Sequence, residues 1–597
     1  MSNNHTLWAT DGTFDFSSGV NCARTPTVKS QSNPYGLPRN AFAWLTNGTV
    51  RGGGVYGRPG WNRLIEHVSD AALYQGGWMY EPTGENPYLI ISLAGNLIRI
   101  QLDSPYTVTN LSLVSGLQNN PSTPLGFMCQ GEDFLIAQSG DALTLPLFWD
   151  GNTLRRSNGI TTEIDPAQPN VSELPASGPM CYYASRLWYA QDRIYCAGDI
   201  ARGAAGTTAY ARRDSILRVT ENPLAFGGDG FSVPTAAGNI RALTYPANID
   251  TTLGQGPLLI GTRKTVYSLT VPVSRADWTA ANDNQPLQVV AQMKWGMVND
   301  RGVVQANGDL FYQTLEPAVR SFAFARRSYG QWANLPISQN VRRITRRNDR
   351  ALLRYCTGMN LDNRIFQSGL PFQTPYGVVH KVVLAMDLDP LSSLEEQLPP
   401  IWEGHSEGLN ILQLFEGDFG GLQRGFAVVL SEDETSIDIW EFSREDLFQN
   451  GDNRITWSFE SPAWTWADSI GERNLKKLVG GEMYFDEIFG TSEVTVEFRP
   501  DSQKCWLPWS NFQVCSSRNA GEAGTEPEYP PEDYVAGYQP HKTLPHPPIP
   551  CMPGAVRPAN IGLQFQVRVT VKGSLRIRSL MLFAEPFERS PYHGLVC

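Results

Sequence analysis

The stretch Val303-Val304-Gln305-Ala306-Asn307-Gly308-Asp309-Leu310-Phe311-Tyr312 decides the fold. Two short runs rich in β-branched, apolar and aromatic residues flank Asn-Gly, a dipeptide suited to the φ > 0 backbone of a tight antiparallel turn. The same grammar recurs at Leu147-Phe148-Trp149, Asp150-Gly151, Asn152-Thr153-Leu154. Hairpins with other turns are predicted for 88–93 with 97–102, 186–190 with 193–197, 258–262 with 265–271, 342–346 with 351–355, and 426–430 with 437–442. Their turn centres fall near positions 95, 150, 191, 263, 308, 348 and 433. Several gaps match the roughly 40–50 residues of one propeller blade. Stacked β-sandwiches would give similar hairpins, but the period favours a propeller.

The reading is therefore an all-β chain. It has an N-terminal arm with lead-in strands (1–60), a β-propeller-like body (61–445) and a C-terminal β-sandwich (446–597). Positions 519–560 hold ten prolines, from Pro527 to Pro558, and show no hydrophobic periodicity. Proline removes ladder donors, so this segment reads as a long loop inserted between the strands 495–499 and 563–571 of one sandwich. It is expected to be an extended arm packed on a neighbouring copy. Helices are scarce: 390–398 and 443–449 are the best candidates, and each reads better as a single turn between strands.

Charged residues are 18% of the chain, against roughly 25% in typical globular proteins. The net charge is −11. A protein that grips phosphates along its whole surface needs a basic face, so this balance argues against a general DNA gripper, though not against a wall that DNA slides past. Met1-Ser2-Asn3-Asn4-His5 lacks the basic and apolar regions of a secretory signal, and no apolar run is long enough to span a membrane. Nine cysteines are scattered without a C-x-x-C pair, so reduced thiols in a protein made in a cytoplasm are expected.

No motif assigns catalysis, a cofactor or a metal. Gly52-x-Gly54-x-x-Gly57 matches a dinucleotide fingerprint, but Arg58-Pro59-Gly60 follows where that motif needs a helix. His541 and His546 lack partners at ligand spacing, and Asp387-x-Asp389 and Glu432-Asp433-Glu434 lack the spaced oxygens of a calcium loop. The Ser-x-Asp-x-Gly-x-x-Trp turns of sialidase propellers are absent from the sequence. The basic pairs Arg326-Arg327, Arg342-Arg343 and Arg346-Arg347 stand out in an acidic chain. They are candidate assembly or lumen residues, with strand-edge protection as a third reading.

The phrases Gly19-Val20-Asn21, Leu37-Pro38-Arg39-Asn40, Val50-Arg51-Gly52-Gly53-Gly54 and Arg58-Pro59-Gly60-Trp61 follow one another near the N-terminus. In that order they resemble the opening of the tail nozzle proteins, or tail tubular proteins B, of short-tailed bacteriophages. Leu187-Trp188-Tyr189-Ala190, Gly308-Asp309-Leu310-Phe311-Tyr312, Asp362-Asn363-Arg364, Asp486-Glu487-Ile488 and Cys505-Trp506-Leu507-Pro508-Trp509 resemble later phrases of phage propeller proteins. The resemblance implies a non-enzymatic virion protein without cofactors, a homo-hexameric ring below the portal and its adaptor. Through such a ring genome DNA leaves the head, and tail fibre or tail tip proteins would be further partners. The competing class is a propeller-type glycan-binding or glycan-cleaving tail protein that recognises a receptor.

Overall fold

The computed structural model describes residues 8–161, 172–200, 214–220, 231–246, 256–271, 289–322, 336–389, 400–443, 449–451, 453–515, 541–549 and 558–587. Its middle is a row of five small antiparallel sheets, each built by the hairpins anticipated above. The first blade runs Tyr74–Tyr80, Tyr88–Leu93, Asn96–Gln101, Val108–Asn110. The second runs Phe127–Gly131, Phe134–Gln138, Leu147–Trp149, Leu154–Arg156, and the third Met180–Tyr183, Arg186–Gln191, Ile194–Ala197, Phe231–Ser232. Ile240–Thr244, Leu258–Thr262, Thr265–Leu269 and Val290–Lys294 form the fourth, and Val304–Ala306, Asp309–Thr314 and Ala318–Ser321 the fifth. The deciding hairpin pairs Ala306 with Asp309 across Asn307, whose φ is 49°, and Gly308, whose φ is 74°.

Why blades rather than one continuous sheet? Each blade's strands alternate large apolar side chains on both faces, and those faces meet neighbouring blades. Cys129, Ile136 and Phe148 of the second blade share a core with Met180, Leu187 and Tyr189 of the third. Trp188 and Tyr195 of the third share another with Ile240, Leu258 and Ile260 of the fourth. Successive blades thus bury both faces and turn about an axis along which their first strands lie.

The ring is completed by a 19-stranded sheet made from both ends of the chain. Asn360 Nδ2 donates to Gln305 O at 3.1 Å and Gln313 Nε2 to Gln367 Oε1 at 3.0 Å, joining this sheet to the fifth blade. On its other side Gln413 Oε1 accepts from Tyr74 OH at 2.9 Å and from Gly77 N–H at 3.2 Å in the first blade. The meander from Gly358 to Phe442 belongs to the large sheet. So the boundary read at 445–446 falls within that sheet.

The lead-in strands are woven into this sheet. Ala9–Thr13 pairs with Leu580–Ala584, Trp44–Thr46 with Ser458–Glu460, and Val55–Tyr56 with Arg576–Ile577. Phe16, Val20, Phe42 and Val55 enter the same core as Trp457, Trp464, Val569 and Leu582. The strands flanking the Pro-rich insertion pair directly, Thr495 with Thr570 and Val496 with Val569. Within the insertion, His541–Leu544 forms a strand on Gly481–Tyr484, and Trp509 Nε1 donates to Pro545 O at 2.8 Å. These four residues lack proline, so their donors are free to join a ladder. This part of the insertion is held by its own chain; 516–540 and 550–557 lie outside the described residues, as do 390–399 and 444–448 of the helix candidates.

The hairpin expected over 342–355 is not formed. Arg342–Thr345 is a single helical turn and Leu353–Tyr355 a 3₁₀ turn. Arg346 N–H donates to Arg342 O at 3.0 Å, and the Asp349 carboxylate takes Ala351 N–H at 2.9 Å, closing local turns in place of a ladder.

Candidate functional site

Two charged concavities lie at opposite ends of the propeller. The first is the axial channel, about 580 Å³, lined by the first strands of all five blades and by the closing sheet. At the end where blade strands begin, Arg301 crosses the axis, its guanidinium donating to the carbonyls of Gln75, at 2.6 Å, and Gly126. Gly76, at φ 147°, makes room for it: a Cβ there would lie 2.0 Å from an Arg301 nitrogen. At the other end the channel is acidic, with Glu81, Glu132 and Glu416. Tyr182 OH donates to Glu132, and Asn360 N–H to Glu416. Burial pushes the Glu416 carboxyl up to about 7, against the Asn360 hydrogen bond and with help from the charge of Glu81. Burial likewise raises the Cys129 thiol to about 12 and holds Cys181 well above its ordinary value, so neither offers a thiolate.

The second concavity is an arginine-lined groove on the end where the strands of the fourth and fifth blades begin. It consists of three linked hollows of about 810, 240 and 510 Å³ that all share Arg350. Arg263, Lys264 and Lys294 line the first, and Arg241 and Arg354 add to the second. The third brings in Arg320, Arg342 and Arg346. Glu316 is the one carboxylate among the described lining residues. Burial lowers the Arg241 guanidinium, and the neighbouring charges of Arg354 and Arg263 push the same way, with no acid opposing them. Trp295 lies in the first hollow with its ring 4.9 Å from the Arg320 guanidinium and φ at 79°, a left-handed backbone unusual for a bulky residue.

The sequence grouped its arginines as neighbours, 342 with 343 and 346 with 347. The helical turn regroups them, because residues four apart share a face. Arg342 and Arg346 line the groove. Arg343 acts on the Cys22 thiol and Arg347 on the His405 ring, both away from it. Arg326 and Arg327 lie outside the described residues. Arg241, Arg263, Lys264, Lys294, Arg320, Arg350 and Arg354 were not singled out in the sequence. They come from five separate stretches of the chain, and only blade packing assembles them.

Other candidates are absorbed by structure. Val55–Gly57 of the glycine-rich motif is a strand, and a Cβ on Gly54 would meet the Arg576 side chain at 2.7 Å. Asp387 receives Arg51 at 2.6 Å, and Asp433 takes Ser431 Oγ at 2.6 Å in its turn. Among the described residues no three His, Cys, Asp or Glu side chains gather as metal ligands.

The fold defines the class: an all-β protein with a β-propeller arrangement. No family model and no curated protein matches the chain. Among solved structures it is similar to the RRP9 WD40 repeats, at 9% identity and TM-score 0.35, over 65% of this chain and 100% of that one. It is also similar to a glycoside hydrolase, at 9% identity and TM-score 0.23 over 87% and 99%. A mutant Trypanosoma rangeli sialidase with trans-sialidase activity matches at 9% identity and TM-score 0.28 over 88% and 96%.

Proposed function

We propose that this chain is a structural, non-enzymatic component of a short-tailed phage tail, assembling into a ring, six copies by family analogy, through which genome DNA is ejected. One observation carries the reading: the phrases that resemble tail nozzle proteins and those that resemble phage propeller proteins meet in the fold as structural joints. Arg51 of the N-terminal phrase pairs with Asp362 at 2.8 Å, and Arg364 of the later phrase reaches the same carboxylate at 2.7 Å. Arg364 also pairs with buried Glu403 at 3.0 Å, and Val20 N–H donates to Trp402 O at 2.8 Å. Asp486 and Glu487 hold Arg576 at 2.7 and 2.9 Å beside Gly54. Arg58 is buried and donates to Glu407 O at 3.2 Å. None of these residues lines the channel, so the shared phrases serve assembly of the fold rather than chemistry at a pocket. In this reading the adaptor above and tail fibre or tip proteins below are the neighbours, and the DNA passage lies between copies. A propeller channel of about 580 Å³, crossed by Arg301, has the size of a small-molecule pocket instead.

That pocket supports the second reading, a glycan-binding or glycan-cleaving receptor protein. A carboxyl held near neutrality beside Glu81 and Glu132 is the equipment of an acid catalyst. Negative-stain imaging of the purified chain separates the two. A six-fold ring with an open lumen is expected. A trimeric spike, with glycan turnover abolished by Glu416→Gln, overturns the ring and establishes the alternative.

A further inference from the structure

We propose that the arginine-lined groove across the fourth and fifth blades holds the phosphodiester backbone of duplex DNA in a weak, salt-sensitive grip. The inference rests on the reading that this chain handles DNA and goes beyond it by assigning the contact to particular side chains.

Several arginines elsewhere in this molecule are matched to carboxylates. Arg155 meets Glu173 at 2.9 Å, Arg424 meets Glu441 at 2.6 Å, and Arg568 meets Glu460 at 2.7 Å. Five arginines of the groove have no such match. Among the described residues, Arg241, Arg263, Arg342, Arg346 and Arg350 form no ion pair with a carboxylate. Leaving several guanidinium groups together in an acidic chain, repelling one another, costs stability unless an anion fills the space between them. The hollows are continuous through Arg350, so the missing charge is an extended one.

The chemistry of the donors selects the anion. Guanidinium forks match phosphate oxygens bidentately, and the charged side chains described in the lining are all cationic but for Glu316. Here cations line all three hollows around the shared Arg350. The opposite end of the propeller carries Glu81 and Glu132, which disfavour the same polymer there. The grip is weak by design of the whole: a net charge of −11 surrounds a local basic track.

The test is fluorescence anisotropy with a labelled duplex of about 20 base pairs and the full-length protein. Binding is expected at low salt, with the logarithm of affinity falling against that of salt at about −0.9 per phosphate neutralised. Arg342→Glu with Arg346→Glu should lower affinity about ten-fold or more, while Arg343→Glu with Arg347→Glu should leave it within about two-fold. Thermal melts check that each variant folds, and exposed Arg350→Gln replaces the double variant if it does not. Absence of binding at low salt overturns the proposal, as does equal loss in both double variants. Polyglutamate binding as tightly as DNA also overturns it and makes the groove a dock for an acidic protein segment. A protein that binds DNA through the groove but never forms rings sinks the ring reading alone. Rings that bind no duplex sink the groove alone.

Discussion

Two buried titratable side chains make the channel and the closing sheet pH-sensitive in opposite senses. His380 is fully buried, both ring nitrogens lack a partner among the described residues, and burial lowers it to about 3. Its folded value lies below the ordinary histidine range, so its contribution is present above about pH 6.5 and lost as pH falls toward 3, because the unfolded chain takes up the proton first. His405, lowered to about 4 by burial and by the Arg347 charge, adds to the same loss. His380→Leu should therefore flatten the fall in melting temperature between pH 6.5 and 4; an unchanged slope would show that the ring is solvated. Glu416 runs the other way. Its folded value is raised to about 7, so its contribution is full below the ordinary carboxylate range and lost as pH rises through neutrality. Glu416→Gln should stabilise the protein by about 1–2 kcal/mol at pH 8 and by little at pH 5. Denaturation with equal gain at both values would remove the protonated carboxyl from the account.

At the scale of elements, the strand Tyr74–Tyr80 and the segment before Val304 are locked together by one side chain. Arg301 spans from the fifth blade to the first and second, and Gly76 is the position that lets it through. Gly76→Ala puts a methyl group into backbone of positive φ and against the guanidinium. Destabilisation of about 2–4 kcal/mol is expected from overpacking and strain combined. Arg301→Ala in the same background should recover part of that loss if the clash is the cause; additive losses would place the strain elsewhere. The hairpins of these blades were legible because turn dipeptides and alternating apolar runs act over a few residues. The error at 342–355 has the same origin. Arg342-Arg343-Ile344-Thr345-Arg346 is compatible locally with a strand, and only the absence of a ladder partner there lets the chain close into a helical turn.

For the whole molecule, the two ends of the chain form one body, so the N-terminal arm is not dispensable. Phe16, Val20, Phe42, Leu45 and Val55 are buried in the core of the large sheet. Removing 1–60 should abolish the cooperative melt of the C-terminal half rather than yield a trimmed, folded protein; a soluble truncation with an unchanged transition would contradict the woven sheet. Local sequence was enough to determine a chain of antiparallel hairpins and the direct pairing across the Pro-rich insertion, because turns and periodicity are short-range properties. It did not reveal that strands 9–70 lie among strands 358–586, that Arg342 parts from Arg343 to join Arg241, Arg263 and Arg350, or that three glutamates meet at the channel mouth. Those groupings unite residues far apart in the chain. They are set by which apolar faces bury one another when the ring closes, a free energy that no local window contains.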